Sequence, residues 1–496
     1  MKSIGVILLT LILAPAWNAR LMAAAEGDWI EIESPHFVVV SDAPESQARS
    51  VTMQFERVRA VFKKAFPRMR IYPDLPIIIL AARDKSSFDQ LKPAAWLGQG
   101  QLNRVGMLLR SPDKNYILLR LDAPGKNPYH VIYHEYAHLI LEDNFQSIPL
   151  WLNEGLAEFY GHSTLDGKTV RLGLPSEKNL RLLQTVSLLP LKTLFTINES
   201  SPYYNEADKG TIFYAQSWAL TDFLMFQNLH SSRGPIDRYL ALIAQGSDPV
   251  NAATQAFGDL DQLQGDLEHF VHGLQFHYYR LKVSLSVDER DLHASPLLPA
   301  ESDALRGDFL ARVSRIHEAE SLLQSALKQV PQMASANESM GLLELHEGHP
   351  EKAQAWFAKA ARLSPRSYLA RFYLALALMK NSPRAGQFQE ITDDLHDMIQ
   401  FNPTFAPAYA ALATLYANQL RDAQKAQVLA AKASQLDPHN VHYLFLESEI
   451  LLKMGNTDEA LQVAERAVNE AQSPQDKSLA YVFLGSIQEK AHGLQK

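Results

Sequence analysis

The chain contains no cysteine. That absence removes a thiol nucleophile, a cysteine-ligated structural zinc and an iron–sulfur cluster, and it removes disulfides as a source of stability. Any metal here must be held by His and carboxylate. A concentrated run of Lys or Arg is missing too: 47 basic residues face 55 acidic ones, for a formal net charge of -8. Such a chain has no long-range attraction for phosphate backbones or anionic lipid, so nucleic acid is not an expected partner. The sequence also lacks a glycine loop of the kind that cradles phosphate and a G-x-S-x-G elbow, which leaves nucleotide and serine-hydrolase chemistry without support. Beyond the first 25 positions no segment is apolar over the roughly 20 residues that a membrane-spanning helix needs.

The N-terminus reads Met-Lys-Ser, then an almost wholly apolar Ile4 to Ala14, then the small-residue stretch Ala23-Ala24-Ala25. This is the pattern of a signal peptide over residues 1–25, with cleavage after Ala25 or after Ala16. A periplasmic or secreted protein with no integral span after signal removal is expected. The 496 residues, 47% hydrophobic and 21% charged, are more than one core usually serves, so two or three globular domains are expected.

Trp29 to Ser41 alternates and is rich in Val and Ile, which predicts a strand, and Ser46 to Phe66 has apolar residues at helical intervals. Pro76 to Leu80 predicts another strand, and Val105–Leu109 with Tyr116–Leu121 a hairpin across Ser-Pro-Asp-Lys-Asn. Residues 26–125 therefore read as α+β. From Asn127 onward strand signals nearly vanish, and 126–300 reads as helical. In the last third, Pro331, Pro365, Pro403, Pro438 and Pro474 recur at spacings of 34, 38, 35 and 36. A period near 34 with proline ending each unit is the signature of tetratricopeptide repeats (TPR), paired antiparallel helices. Gly341, Ala353, Phe357 and Ala360 fall where one unit needs small residues at helix crossings and an aromatic plug. Four clear repeats are expected after a degenerate first one at about 302–331, offering a groove for protein partners.

Asn127-Pro128 reads as a helix start, and the helix contains His134-Glu135-Tyr136-Ala137-His138. Two His at i and i+4 project from one face, close enough to bind one ion, with Glu135 beside them to handle water. A catalytic zinc wants three protein ligands and an open position, and one helix cannot surround the ion. Ile148 to Gly161, IPLWLNEGLAEFYG, is a second short helix that brings Glu154 and Glu158 to one face; either can supply the third ligand.

With this phrase the sequence resembles the gluzincin metallopeptidases, and among them the peptidase-MA-like domain family, over about Trp29 to Leu274. The resemblance implies that Glu154 is the third ligand. It makes Glu158 a carboxylate orienting a metal-bound histidine, His138. On the Gly210–Met225 helix, Tyr214 matches the tyrosine that hydrogen-bonds the oxyanion in that clan. The 16 positions from His138 to Glu154 are shorter than in the aminopeptidase branch, so a tight connection is expected. His130 reads as first-turn surface or as a support to a ligand, and His36 and His162 as structural.

The expectation is an α+β zincin-like domain at 26–300 followed by an all-α TPR superhelix at 302–496. In function the chain would be an exported Zn2+-dependent metallopeptidase. Glu135 would take a proton from the metal's water, and a substrate chain would add to an exposed strand such as Tyr116–Leu121. The repeats would recruit client or partner proteins. The alternative is an inactive metallopeptidase-like TPR scaffold for envelope protein assembly; hydrolysis of a non-protein amide or a cell-wall peptide is a third possibility.

Overall fold

The structure, a computed structural model, describes residues 28–67, 69–71, 75–97, 105–122, 130–145, 148–166, 169–198, 201–205, 207–227, 234–273, 278–380, 386–420, 422–438, 440–471 and 474–494. The expected signal segment with both cleavage positions, and the Asn127-Pro128 helix start, lie outside the described residues.

The alternating Trp29–Ser41 stretch is not one strand but two, β1 (Ile30–Glu33) and β2 (Val38–Ser41), because Ser34-Pro35 turns the chain back on itself. Helix α1 (Glu45–Ala65), β3 (Ile77–Ala82) and α2 (Lys85–Leu91) follow. The expected hairpin forms from β4 (Gly106–Arg110) and β5 (Asn115–Arg120). Next come α3 (His130–Asn144), α4 (Leu150–Gly161), β6 (Thr164–Asp166), β7 (Thr169–Leu172) and a run of helices that includes Ala207–Gln227, then β8 (Tyr279–Lys282) and β9 (His293–Pro296). Among the described residues the main sheet has six strands in the order β4-β5-β3-β2-β1-β9, and β6-β7-β8 form a second sheet. The reading of 126–300 as helical therefore needs correction. β9, His-Ala-Ser-Pro, joins the main sheet as an edge beside β1 through backbone hydrogen bonds alone. Its side chains are mostly exposed, so it carries no hydrophobic alternation to read.

The period of two along the strands puts apolar residues on both faces. Val39, Ile77, Ile79, Ala81, Ile117 and Leu119 face one core, built with α1, α3, α4 and the Ala207–Gln227 helix. Val40, Leu80, Ala82, Tyr116 and Leu118 face the other, which is closed by Phe88 and Leu91 of α2 and by the first helices of the C-terminal array. Among the described residues the array consists of five helix pairs, beginning at Pro299–Arg312 and Ile316–Gln329, and a last helix, Pro474–Leu494. The first pair, expected to be degenerate, is as regular as the others; it looks atypical in sequence because Phe309, Leu310 and Ala311 pack against the sheet. Small residues sit where helices cross, as at Gly341, where a Cβ would lie 2.8 Å from the Phe357 ring.

The array is thus part of the sheet's own core. Burying a side chain of this size contributes roughly 1.5–3 kcal/mol. Val40, Leu80 and Leu118 alone approach the ~5–15 kcal/mol net stability of a whole domain. A polar node lies in the same interface. Tyr116 Oη and Ser339 Oγ each donate to Asp308, at 2.6 Å, and Arg312 Nε donates to it at 2.9 Å. Burial pushes the Asp308 carboxyl up, but the charges of Arg312 and Lys114 outweigh it and hold the carboxyl far below the usual range.

Two expectations follow. A chain truncated after Leu298 should lose cooperative unfolding and bind a hydrophobic dye, because it returns the second face of the sheet to water; a sharp thermal transition with no dye binding would contradict this. A carboxylate with a depressed folded pKa contributes stability that is present above its unfolded value, about 3.9, and lost as pH falls through the folded one. The unfolding free energy of the full chain should therefore decline below about pH 4, with a shallower slope in Asp308→Asn.

Candidate metal centre

Helices α3 and α4 pack antiparallel, each presenting a ridge of side chains spaced by four. On α3 the ridge is His130, His134, His138; on α4 it is Glu154, Glu158, His162. The ridges meet as a ladder, His138 beside Glu154, His134 between Glu154 and Glu158, and His130 between Glu158 and His162.

At one end of the ladder three ligand atoms converge. His134 Nε2 and His138 Nε2 are 3.0 Å apart, and Glu154 Oε2 lies 3.4 Å from His138 Nε2 and 3.6 Å from His134 Nε2. Ligands held at 2.0–2.2 Å around a tetrahedral zinc stand about 3.3–3.6 Å from one another, so this triad fits one ion. Glu154 Oε2 is buried with no hydrogen-bond partner, the condition of a carboxylate oxygen aimed at a cation. The donor set, two imidazoles and a carboxylate, suits zinc.

The outer nitrogens decide which tautomer faces the ion. His138 Nδ1 is 3.1 Å from Asn153 Oδ1; an amide oxygen accepts, so Nδ1 carries the hydrogen and Nε2 keeps its lone pair. His134 Nδ1 lies 3.4 Å from Glu158 Oε1. This corrects the assignment of Glu158 to His138. Glu158 is one turn beyond Glu154 on an antiparallel helix, which places it beside the earlier histidine, and Asn153 does for His138 what Glu158 does for His134. Asn153 was not singled out from the sequence, although it stands in the same Asn-Glu-Gly phrase.

His130 and His162 brace Glu158 from its other side, Nε2 of His130 at 3.5 Å and Nδ1 of His162 at 3.4 Å from Oε2. His162 Nδ1 also donates to the Glu158 carbonyl at 2.9 Å, which commits that nitrogen to a proton. Burial alone would raise the Glu158 carboxyl, yet His130, by charge and hydrogen bond, and then His134 hold it well below the usual range. Burial lowers the His162 pKa. His36, read as structural, is tied to Glu56 at 2.8 Å, away from the ladder.

Glycine sets two close approaches. A Cβ on Gly155 would lie 2.5 Å from Ser217 O, so only glycine lets the Ala207–Gln227 helix press against α4 beside Glu154. A Cβ on Gly106 would run into Val131 and lie 3.6 Å from Glu135 Cγ, so β4 can lie directly against α3. The result is a cavity of about 460 Å³, lined by the triad, Glu135, Glu158, Gly106–Leu108, Tyr204 and Tyr214. Burial pushes the Glu135 carboxyl up while the charges of His134 and His138 oppose the shift, as does the backbone N–H of Leu108 on β4. β5 cannot take an added strand as expected: it lies between β4 and β3, and among the described residues the strand that ends the sheet at the cavity is β4.

In the metal-free site burial disfavours charge on His134 and His138, but Glu154 on both, with Glu158 on His134, raises their pKa values. A cation must displace those protons, so zinc affinity should fall as pH drops, with proton release on binding measurable by calorimetry in two buffers. Glu154→Ala should lose zinc almost entirely, whereas Glu158→Ala and Asn153→Ala should each cost roughly 10–100-fold in affinity. A chelator competition that ranks Glu158→Ala below Glu154→Ala would exchange the two roles.

No curated protein matches the chain. Tetratricopeptide-repeat family models match residues 305–368 and 417–480. Among solved structures, MamA is similar at 20% identity over 35% of this chain and 91% of its own, with a TM-score of 0.29. A thermophilic TPR protein of Thermus thermophilus is similar at 23% identity over 38% and 98%, with a TM-score of 0.30. YrrB, a TPR protein with an unusual peptide-binding site, is similar at 18% identity over 37% and 91%, with a TM-score of 0.31. The helix pairs that follow β9 are a tetratricopeptide-repeat array, a fold that supports protein–protein interaction.

Proposed function

We propose that the chain is an exported zinc-dependent peptide hydrolase of the gluzincin kind whose repeat array serves protein contacts. The observation that carries the reading is the convergence of His134 Nε2, His138 Nε2 and Glu154 Oε2 within 3.0–3.6 Å of one another, in a cavity shared with Glu135 and Tyr214 and walled by the edge strand β4.

When bound to that triad, zinc would polarise the scissile carbonyl and lower the pKa of a water beside it. The protein's own groups supply the rest. Glu135, its carboxyl raised by burial, takes a proton on a carboxylate oxygen and gives it to the leaving amine. Tyr214 offers a neutral O–H to the substrate oxygen as negative charge develops there. Asn153 and Glu158 keep both imidazoles turned with Nε2 inward. The outward backbone groups of β4 can pair with an extended peptide and so favour a chain over a compact amide.

The second reading, an inactive scaffold, is favoured by the repeat matches at 305–368 and 417–480. Glu135 separates the two: a scaffold has no use for a half-buried carboxylate set between two histidines poised to hold a metal. Glu135→Gln should fold, keep near-stoichiometric zinc and lose hydrolysis. The measurement is metal analysis of the purified protein with a proteome-wide comparison of cleavage products from wild type and variant. Identical product sets from the two zinc-loaded proteins would leave the scaffold.

A further inference from the structure

The hairpin that walls the cavity is held at its far end by the repeat array. Its turn, residues 111–114, is gripped by successive helix pairs. Asn402, which closes the third pair, donates from Nδ2 to the Pro112 carbonyl at 2.7 Å. Arg312 of the first pair holds the Asp113 carboxylate with two N–H groups, Nη1 to Oδ1 at 3.0 Å and Nη2 to Oδ2 at 3.3 Å. Lys114 Nζ reaches Asp308 Oδ2 at 3.3 Å, and Ser339 of the second pair fixes the same carboxylate. Arg312 and Asp113 are almost fully buried, with side chains 7% and 12% exposed, so these are not loose surface pairs.

The other end of the hairpin is functional. Among the described residues β4 is paired with a strand on one side only, and on the cavity side its Leu108 N–H meets Glu135. Such an edge is held in place by whatever fixes its ends and its one partner. Here the contacts are β5, the close approach to α3 at Gly106, and the gripped turn.

We propose that the array positions the substrate-binding strand. Asn402, Arg312 and Asp308 clamp the 111–114 turn and thereby set β4 at the height over α3 where an extended peptide can pair with it and present its scissile bond to Glu135. These are positioning residues, since none touches the cavity. The inference rests on the peptidase reading for its consequence in turnover, but not for the clamp itself. It also means that this stretch of the first three pairs is filled in cis by the chain's own turn.

The test uses the full-length chain, with amide hydrogen exchange resolved along β4 and steady-state hydrolysis of a peptide panel. Asn402→Ala removes the hydrogen bond to Pro112, together with the two that its Oδ1 accepts from Thr404, and should speed exchange in β4 by about 5–10-fold, while exchange in α4 and zinc content stay as in wild type. The variant Asp113→Asn removes the second grip while Arg312 and Lys114 keep Asp308 as their partner, and should act in the same direction. In an active protein KM should rise more than kcat falls, because strand pairing is lost in the bound and transition states alike. Unchanged β4 exchange in both variants overturns the clamp. Faster β4 exchange with unaltered KM and kcat overturns its role in positioning substrate. Should wild type cleave nothing, the peptidase reading falls, and the exchange measurement still decides the clamp.

Discussion

A sheet that is apolar on both faces has to be covered twice. In this chain the two covers differ in kind. On one face lie α1 and α3, and the ridge of α3 that meets α4 carries the histidines. On the other lie α2 and the opening helices of the repeat array. Neither cover can be removed without returning buried side chains to water. The residues with candidate chemistry and the residues with candidate binding surface are therefore fastened to opposite sides of the same few strands.

Charge follows the same logic. Buried ionisable groups are costly unless partnered, and two clusters of partnered ones stand at the ends of the β4–β5 hairpin. One is the α3–α4 ladder, where each carboxylate stands between imidazoles and Glu154 Oε2 is left without a hydrogen bond. The other is the Asp113–Lys114–Asp308–Arg312 node between hairpin and array. The β4–β5 hairpin runs from one to the other, its strand at the cavity and its turn in the node. This two-stranded element between two polar clusters links the repeat array physically to the wall of the cavity.

What could be read without the structure was local. The pairing of His134 with His138 follows from helical spacing, and the positions of Glu154 and Glu158 on one face follow from the same rule. The Val105–Leu109 and Tyr116–Leu121 strands announce themselves through alternation and an intervening turn. The repeat register follows from proline and alanine recurring near every 34 residues. Each of these depends on neighbours within one or two elements, and chain chemistry at short range determines them.

The rest depended on contacts between distant segments, which leave little trace in composition. β9 pairs through its backbone, so its side chains give no sign of it. The partner of Glu158 depends on the antiparallel packing of α4 on α3, and reading one helix at a time selects the wrong histidine. Asn153, His130 and His162 are ordinary polar residues until the ladder forms around Glu158 and His138. The repeats, read alone, suggest a separate module; only the far face of the sheet, which needs a cover, makes their first pairs part of its core. The sequence by itself determined which residues could form a metal triad and which helices repeat. Tertiary packing decided which group each histidine's outer nitrogen meets and which described strand ends the sheet at the cavity, because both depend on what lies beside a side chain or strand after elements distant in sequence have met.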